Sequence, residues 1–409
     1  MRSSRPLAVG LVALGLVLAA CSPIPDMSAR PAGTPITVGA VLSLSGSQAS
    51  GGQMAKEGLL FCQDWINGKG GVMVNGLGHP LAIDIADDQS RPSIAAAQTE
   101  QMISSNHTLL LGPSNDATTA RAAPIAEQHQ VPMVSSGASS EAIFNNHYQY
   151  LFSVLAPDSR QLQGVIDMAL SLNPKPQSVA ILFASDSLSS EVASATASYA
   201  AAKGMGVVYG ASFTPGVNNF TAQLGAAAGS GPDLLLEVSH LADSVRTIHQ
   251  AQQMNIQPKL LAFNSGPADP GFVSNLHGAA NFSVGTTQWA PGTRNPINYF
   301  LDSFHYALGY QAQFGHLPDE HAAAATAACL TLEVAIESAN STQPRWVHDA
   351  LAITDLRTFF GPIKFDDRGL NAAKPIYVEQ VQSGRPVVVW PREIAGAAPR
   401  YPDPGWAKR

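Results

Sequence analysis

Residues 36–72 read ITVGAVLSLSGSQASGGQMAKEGLLFCQDWINGKGGV, and the fold is decided there. The first nine residues, 36–44, are a near-continuous apolar run, the pattern of a strand buried on both faces. A Ser/Gly loop follows at 45–52. Met54, Phe61, Cys62 and Trp65 then recur at helical spacing, and Gly68 ends the helix. The alternation continues downstream. Strands are expected at 81–86, 108–111 and 131–134, with helices at 94–103 and 118–130. After Pro157 the pattern restarts, with helices expected at 162–172, 191–203 and 244–254 and strands at 179–184, 207–209, 234–238 and 260–263. Helices at 298–308 and 322–339 and late strands at 363–365, 377–381 and 387–390 complete the reading.

Strands separated by helices of about 10–15 residues mean βαβ units and parallel sheets. There are too many strands for one sheet of ordinary width. The expected fold class is therefore α/β, as two doubly wound parallel-sheet lobes. In such sheets ligands bind outside the carboxyl ends of the strands. That singles out the loops at 43–52, 87–92, 112–117 and 135–141 in the first lobe, and at 185–190, 238–242 and 263–269 in the second.

The 409 residues carry only 13% charged side chains against 45% hydrophobic ones, which excludes a disordered or coiled-coil chain. A net charge of −7 gives no electrostatic grip on nucleic acid, so no nucleic-acid partner is expected. There is no Cys-x-x-Cys, His-Glu-x-x-His, Gly-x-Ser-x-Gly, Ser-x-x-Lys or phosphate loop. His316 and His321 are five apart, the wrong spacing for a metal pair on one helical face. Neighbouring side chains diverge, so Asp87-Asp88 and Asp366-Asp367 read as turn and strand-end residues. No enzyme, metal or cofactor is nominated.

Arg2 and Arg5 precede an uncharged apolar run of 14 residues, Leu7 to Ala20. That is too short to span a membrane and suits the core of a signal peptide, expected at 1–20. It ends Leu18-Ala19-Ala20-Cys21, which resembles the bacterial lipobox, so Cys21 is the expected lipidation site. Residues 21–35, rich in Pro, Ser and Ala, read as a tether. The expected product is a body anchored to a membrane by its N-terminal lipid, in the periplasm or at the cell surface. Cys62 and Cys329 both look like small buried hydrophobes on helices, and an oxidising compartment also permits a disulfide between them.

The opening strand with Leu44-Ser45-Gly46, and the helix closing in Asp64-Trp65-Ile66-Asn67-Gly68-Lys69-Gly70-Gly71-Val72, resemble the leucine/isoleucine/valine-type periplasmic binding proteins. These are type I substrate-binding proteins of ABC importers. Further matches are Asp87-Asp88-Gln89-Ser90-Arg91-Pro92, the loop Gly112-Pro113-Ser114-Asn115-Asp116-Ala117, Gln130-Val131-Pro132-Met133-Val134, and Phe360-Gly361-Pro362-Ile363. The resemblance covers about residues 36–392. It implies three hinge crossovers, a first lobe of 36–154 and 288–364, a second of 155–287 and 365–392, and a C-terminal tail at 393–409. It also implies a small-molecule ligand held between the lobes and an ABC permease as partner. A lipid-anchored sensor or cell-envelope assembly factor of the same fold, without transport, is the alternative.

The site residues implied by the resemblance are Ser114, Asn115, Asp116, Ser135, Gly137 and Ser139 in the first lobe, Leu188, His240 and Ser265 in the second, and Trp289 beside the second hinge. Asp116 stands where the family places a carboxylate-binding serine; a one-residue shift in register would put Asn115 there. Asp116 also reads as a cap for a helix starting at Ala117. Ser114, Ser135 and Ser139 could instead satisfy local backbone donors, His240 could be an exposed loop residue, and Trp289 a packing residue. Leu188 and His240 replace family tyrosines, Ser265 lies near the position of an acidic ammonium partner, and Gly51 falls near a missing aromatic. Gly137 and Ser139 are kept in kind. The exchange implies a roomier pocket suited to a neutral polar, amide-bearing or cationic solute, or to a larger, partly apolar one.

Overall fold

The computed structural model describes residues 31–409. Cys21, the signal segment and the first part of the tether lie outside the described residues. The first sheet has five strands, all parallel, in the spatial order Leu81–Asp87, Ile36–Leu42, Leu110–Leu111, Met133–Ser135, Leu151–Ser153. The second has seven, in the order Arg385–Trp390, Tyr377–Gln382, Val284–Thr287, Leu260–Phe263, Leu234–Val238, Ser178–Ala184, Gly206–Phe213. Its first two in that order form an antiparallel hairpin, and the other five are parallel.

In each sheet the strand that comes first in the chain lies between the second and the third. Such a reversal of strand order opens a crevice at the carboxyl ends of the strands. The chain passes three times between the halves built on these two sheets: after Ser153, after Thr287, and between Leu370, still packed in the first core and bridged to Ser153, and Tyr377. Near the later passages the fully buried Lys374 ammonium donates to the carbonyls of Gln288 and Phe360, each at 2.6 Å, and lies over the rings of Phe360 and Tyr377.

The returning chain gives the first lobe its central helix. Glu320–Ala339, long and apolar enough to cross a membrane, is mostly buried against the helix Ala49–Gly68. A side chain at Gly58 would collide with the Ala322 carbonyl, 2.2 Å from an ideal Cβ, so glycine permits this close approach. Thr326 Oγ1 donates to the Gly58 carbonyl at 2.8 Å, and Lys69 pairs with Glu333 at 2.6 Å. Cys62 and Cys329 are buried on these two helices and joined as a disulfide, with Cα atoms 6.3 Å apart.

Two late elements differ from expectation. The helix expected at 298–308 spans Ser303–Phe314, because the Asp302 carboxylate accepts the His305 N–H at 2.8 Å and fixes the start there. The strand expected at 363–365 is a small hairpin, Leu356–Thr358 with Gly361–Ile363. The tail lies along the second lobe: Gln380 and Gln382 donate to the carbonyls of Arg400 and Ala398, and Trp406 Nε1 donates to the Ile256 carbonyl, each at 2.9 Å.

Candidate ligand-binding cleft

The carboxyl end of Ile36–Leu42 runs into Ser43, whose hydroxyl donates to the buried Asp88 at 2.6 Å. Asp87 accepts the N–H groups of Leu44 and Ser45 and the Ser45 hydroxyl. The paired aspartates thus pin the first loop to the turn after the second strand. They work as the turn residues they were read to be.

Asn115, not Asp116, caps the next helix. Its Oδ1 accepts the Thr118 N–H at 3.0 Å, and its Nδ2 donates to Ser43 Oγ at 2.9 Å. The helix therefore begins at Asp116, which corrects the start expected at Ala117. The amide that a one-residue register shift would have offered to a ligand is already engaged on both sides. Asp116 instead reaches to the neighbouring loop, where its Oδ1 accepts the N–H groups of Ser139 (2.9 Å) and Ser140 (3.1 Å). Burial pushes this carboxyl above the usual range against those two donors, and Glu141 adds to the rise.

The loop geometry explains the other first-lobe residues. An ideal Cβ at Gly137 would lie 2.0 Å from the Ser114 carbonyl carbon, so only glycine fits where the two loops touch. Ser135 is fully buried. Its hydroxyl donates to the Pro113 carbonyl at 2.9 Å and accepts from the N–H groups of Gly137 and Ala138. Ser114 Oγ accepts the Ser43 N–H at 3.2 Å. Ser139 is half-buried, and its carbonyl accepts the Asp158 N–H at 3.0 Å.

Sequence reasoning missed Asp158, on the 3₁₀ turn Asp158–Arg160 just after the first passage between sheets. It is only 2% exposed, and its Oδ2 has no hydrogen-bond partner. Burial, then the charges of Asp116, Glu141 and Glu191, raise its pKa to about 7, although the nearby Ser139 hydroxyl opposes the rise. Glu141 accepts the Ser159 N–H at 3.3 Å and so sits against the same turn. Glu191 lies on the helix Ser187–Ala202, and burial with Glu141 and Asp116 raises its pKa too. The one signal available was that Glu141 ends a loop at the carboxyl edge of the sheet.

In the second lobe Asp186 caps the helix Ser187–Ala202 by accepting the Ser189 N–H at 2.9 Å, and it pairs with the exposed His240 at 3.2 Å. Leu188 is half-buried against the second core. The Ser265 carbonyl accepts from Ser244 Oγ at 2.8 Å. Trp289 is a core residue of the first lobe: it is 2% exposed, packs edge-on to Tyr306 and Phe359, and donates Nε1 to Ser303 at 3.2 Å. The place of the missing aromatic is filled from elsewhere, since the His321 ring lies 3.0 Å from an ideal Cβ at Gly51. Burial disfavours charge on His321, yet Asp319, Glu320 and, from the second lobe, Asp269 outweigh it and raise its pKa to about 9.

The structure therefore brings together Ser114, Asn115, Asp116, Gly137 and Ser139, and sets Asp158, Glu141 and Glu191 beside them. Asp186 and His240 form a separate pair in the second lobe. Among the described residues no group of three or more His, Cys, Asp or Glu could hold a metal ion.

Known proteins share this architecture. The family model described as periplasmic binding protein matches residues 35–386. The Leu/Ile/Val-binding protein homolog 8 of Brucella abortus is 22% identical over 386 residues, covering 90% of this chain and 93% of the relative. Homolog 7 of Brucella suis is 24% identical over 395 residues, covering 91% and 96%. Among solved structures, a leucine-binding protein LivK of Thermotoga maritima superposes with a TM-score of 0.71 at 20% identity, over 86% of this chain and 97% of that one. A putative branched-chain amino acid ABC transporter protein of Silicibacter pomeroyi gives 0.79 at 17% identity, over 90% and 99%. With two doubly wound sheets crossed three times by the chain, and a family match spanning nearly all the described residues, this chain belongs to the periplasmic binding protein family.

Proposed function

We propose that the chain is a lipid-anchored, extracytoplasmic solute-binding protein that takes a small polar or partly apolar solute between its lobes and hands it to an ABC permease. The reading rests on one observation: two switch-point crevices belong to one chain that passes three times between their sheets, which is the geometry of a hinge. The lobes would be 36–154 with 288–364, and 155–287 with 365–392. The solved structure of LivJ from Streptococcus pneumoniae, with isoleucine bound, has this fold at a TM-score of 0.70, and a Desulfitobacterium hafniense substrate-binding protein in complex with Leu gives 0.72. Both are relatives of a solute-binding kind. The anchor would be carried by Cys21 and the tether after it.

Mass spectrometry of solute released from the purified protein tests the binding role, and a stoichiometric small molecule is the expected result. Cys21→Ser is expected to abolish acyl labelling and leave the chain unanchored or unprocessed; unchanged labelling removes the anchor from the reading. Uptake of the released solute by vesicles holding the cognate permease, only with this protein present, separates import from a sensing or assembly role.

A further inference from the structure

We infer that the cleft selects a solute bearing a protonated amine and no carboxylate, with the ammonium seated between Asp116 and Asp158 and with Glu141 and Glu191 around it. This rests on the solute-binding reading and names the class of solute.

The four carboxyls are gathered by backbone geometry. Asp116 Oδ1 holds the Ser139 and Ser140 N–H groups, the Ser139 carbonyl holds the Asp158 N–H, and Glu141 holds the N–H of Ser159. Glu191 approaches from the helix packed on the Asp158 turn. The positive groups nearby are committed elsewhere. Arg160 donates to the Ala372 carbonyl at 2.6 Å, and Arg368 gives its fork to Asp366 at 2.7 Å and Nη1 to Asn145 at 3.1 Å. His321 is flanked by Asp319, Glu320 and Asp269.

The second observation is independent of the count of acids. Asp158 Oδ2 is buried and accepts nothing. An unmade bond at a buried acceptor costs about 1–3 kcal/mol, and more when the group is charged, so the site lacks a donor. A metal ion is not the missing partner, because among the described residues no group of three or more His, Cys, Asp or Glu could hold one. An ammonium brings several N–H donors and a positive charge, and it relieves the mutual repulsion of the four carboxyls. An α-carboxylate beside that ammonium would face the same four acids in a low-dielectric cleft, which opposes it.

Three matched pairs that differ only by the carboxylate isolate the claim: isopentylamine against leucine, cadaverine against lysine, agmatine against arginine. Calorimetry on the intact protein freed of solute is expected to show, in at least one pair, the amine binding at least about tenfold tighter than its acid. Asp158→Asn and Glu191→Gln are each expected to weaken that amine about tenfold or more while the thermal transition remains cooperative. Every acid binding as tightly as its amine, no amine binding at about 1 mM, or both variants binding unchanged overturns the inference. In those cases a released solute that is neutral or acidic leaves the solute-binding role standing. Absence of any released or bound solute takes both readings down.

Discussion

Asn115 and Asp116 stand side by side, and either has the side chain to cap a helix. The choice is made by tertiary partners: Ser43 receives the Asn115 amide, and the Ser139 and Ser140 N–H groups receive Asp116. Asn115→Ala is expected to cost about 1 kcal/mol or more in thermal unfolding, since it removes the cap and strands the Ser43 link. Leucine, isoleucine and valine are expected to bind more weakly than ~10 µM by calorimetry, because a carboxylate at Asp116 meets like charge. Sub-micromolar binding of any of them would refute that. Glu237 is a different kind of buried acid, fully enclosed and accepting the hydroxyls of Ser239 and Ser244. Burial is the main cause that raises its pKa from 4.5 to about 8. The folded state then holds more protons than the unfolded one between these two values. Its contribution to stability is full below pH 4.5 and is lost as pH rises toward 8. Glu237→Gln, which cannot ionise, is expected to flatten the fall in melting temperature between pH 5 and 8, and an unchanged slope would count against this.

At the scale of elements, the strands buried on both faces were the legible ones. Leu234–Val238 and Leu260–Phe263 lie where the short continuous apolar runs put them, since a central strand of a parallel sheet is buried on both faces. Leu151–Ser153 and Val284–Thr287 were not legible. Each is short, and each sits where the chain leaves its sheet, so pairing partners rather than pattern define it. The acidic cluster was illegible for a related reason: its members come from four separate segments, and no spacing in the chain records their meeting. The disulfide is not legible in the sequence, because two cysteines on apolar helix faces read first as small core residues. It closes a sequence separation of 267 residues, and its loss is expected to cost ~2–5 kcal/mol. Cys62→Ala with Cys329→Ala should lower the first-lobe melting transition, and hydrogen exchange should show the strands Ser178–Ala184 and Leu234–Val238 keeping their protection.

For the whole molecule, the three passages between sheets set the kind of motion available. A tight ligand is expected to shrink the radius of gyration in solution scattering as the lobes close. An unchanged radius at saturation would favour a rigid scaffold. The two-lobed fold was legible from the strand–helix alternation because it held too many strands for one sheet of ordinary width. The interleaving of the two lobes along the chain was implied only by family resemblance. The first lobe's central helix has a consequence before folding begins. Glu320–Ala339, quiet in the core, is long and apolar enough to lodge in a bilayer. A chain exported unfolded must slide this segment through a membrane without halting there. Glu333, the partner of Lys69 in the fold, is expected to oppose such lodging, since a charge near the middle of a spanning segment costs ~3 kcal/mol. Glu333→Leu should leave part of the exported chain stranded in the membrane fraction, where Glu333→Gln strands less; equal recovery of both variants in the soluble fraction would remove this role from the carboxylate.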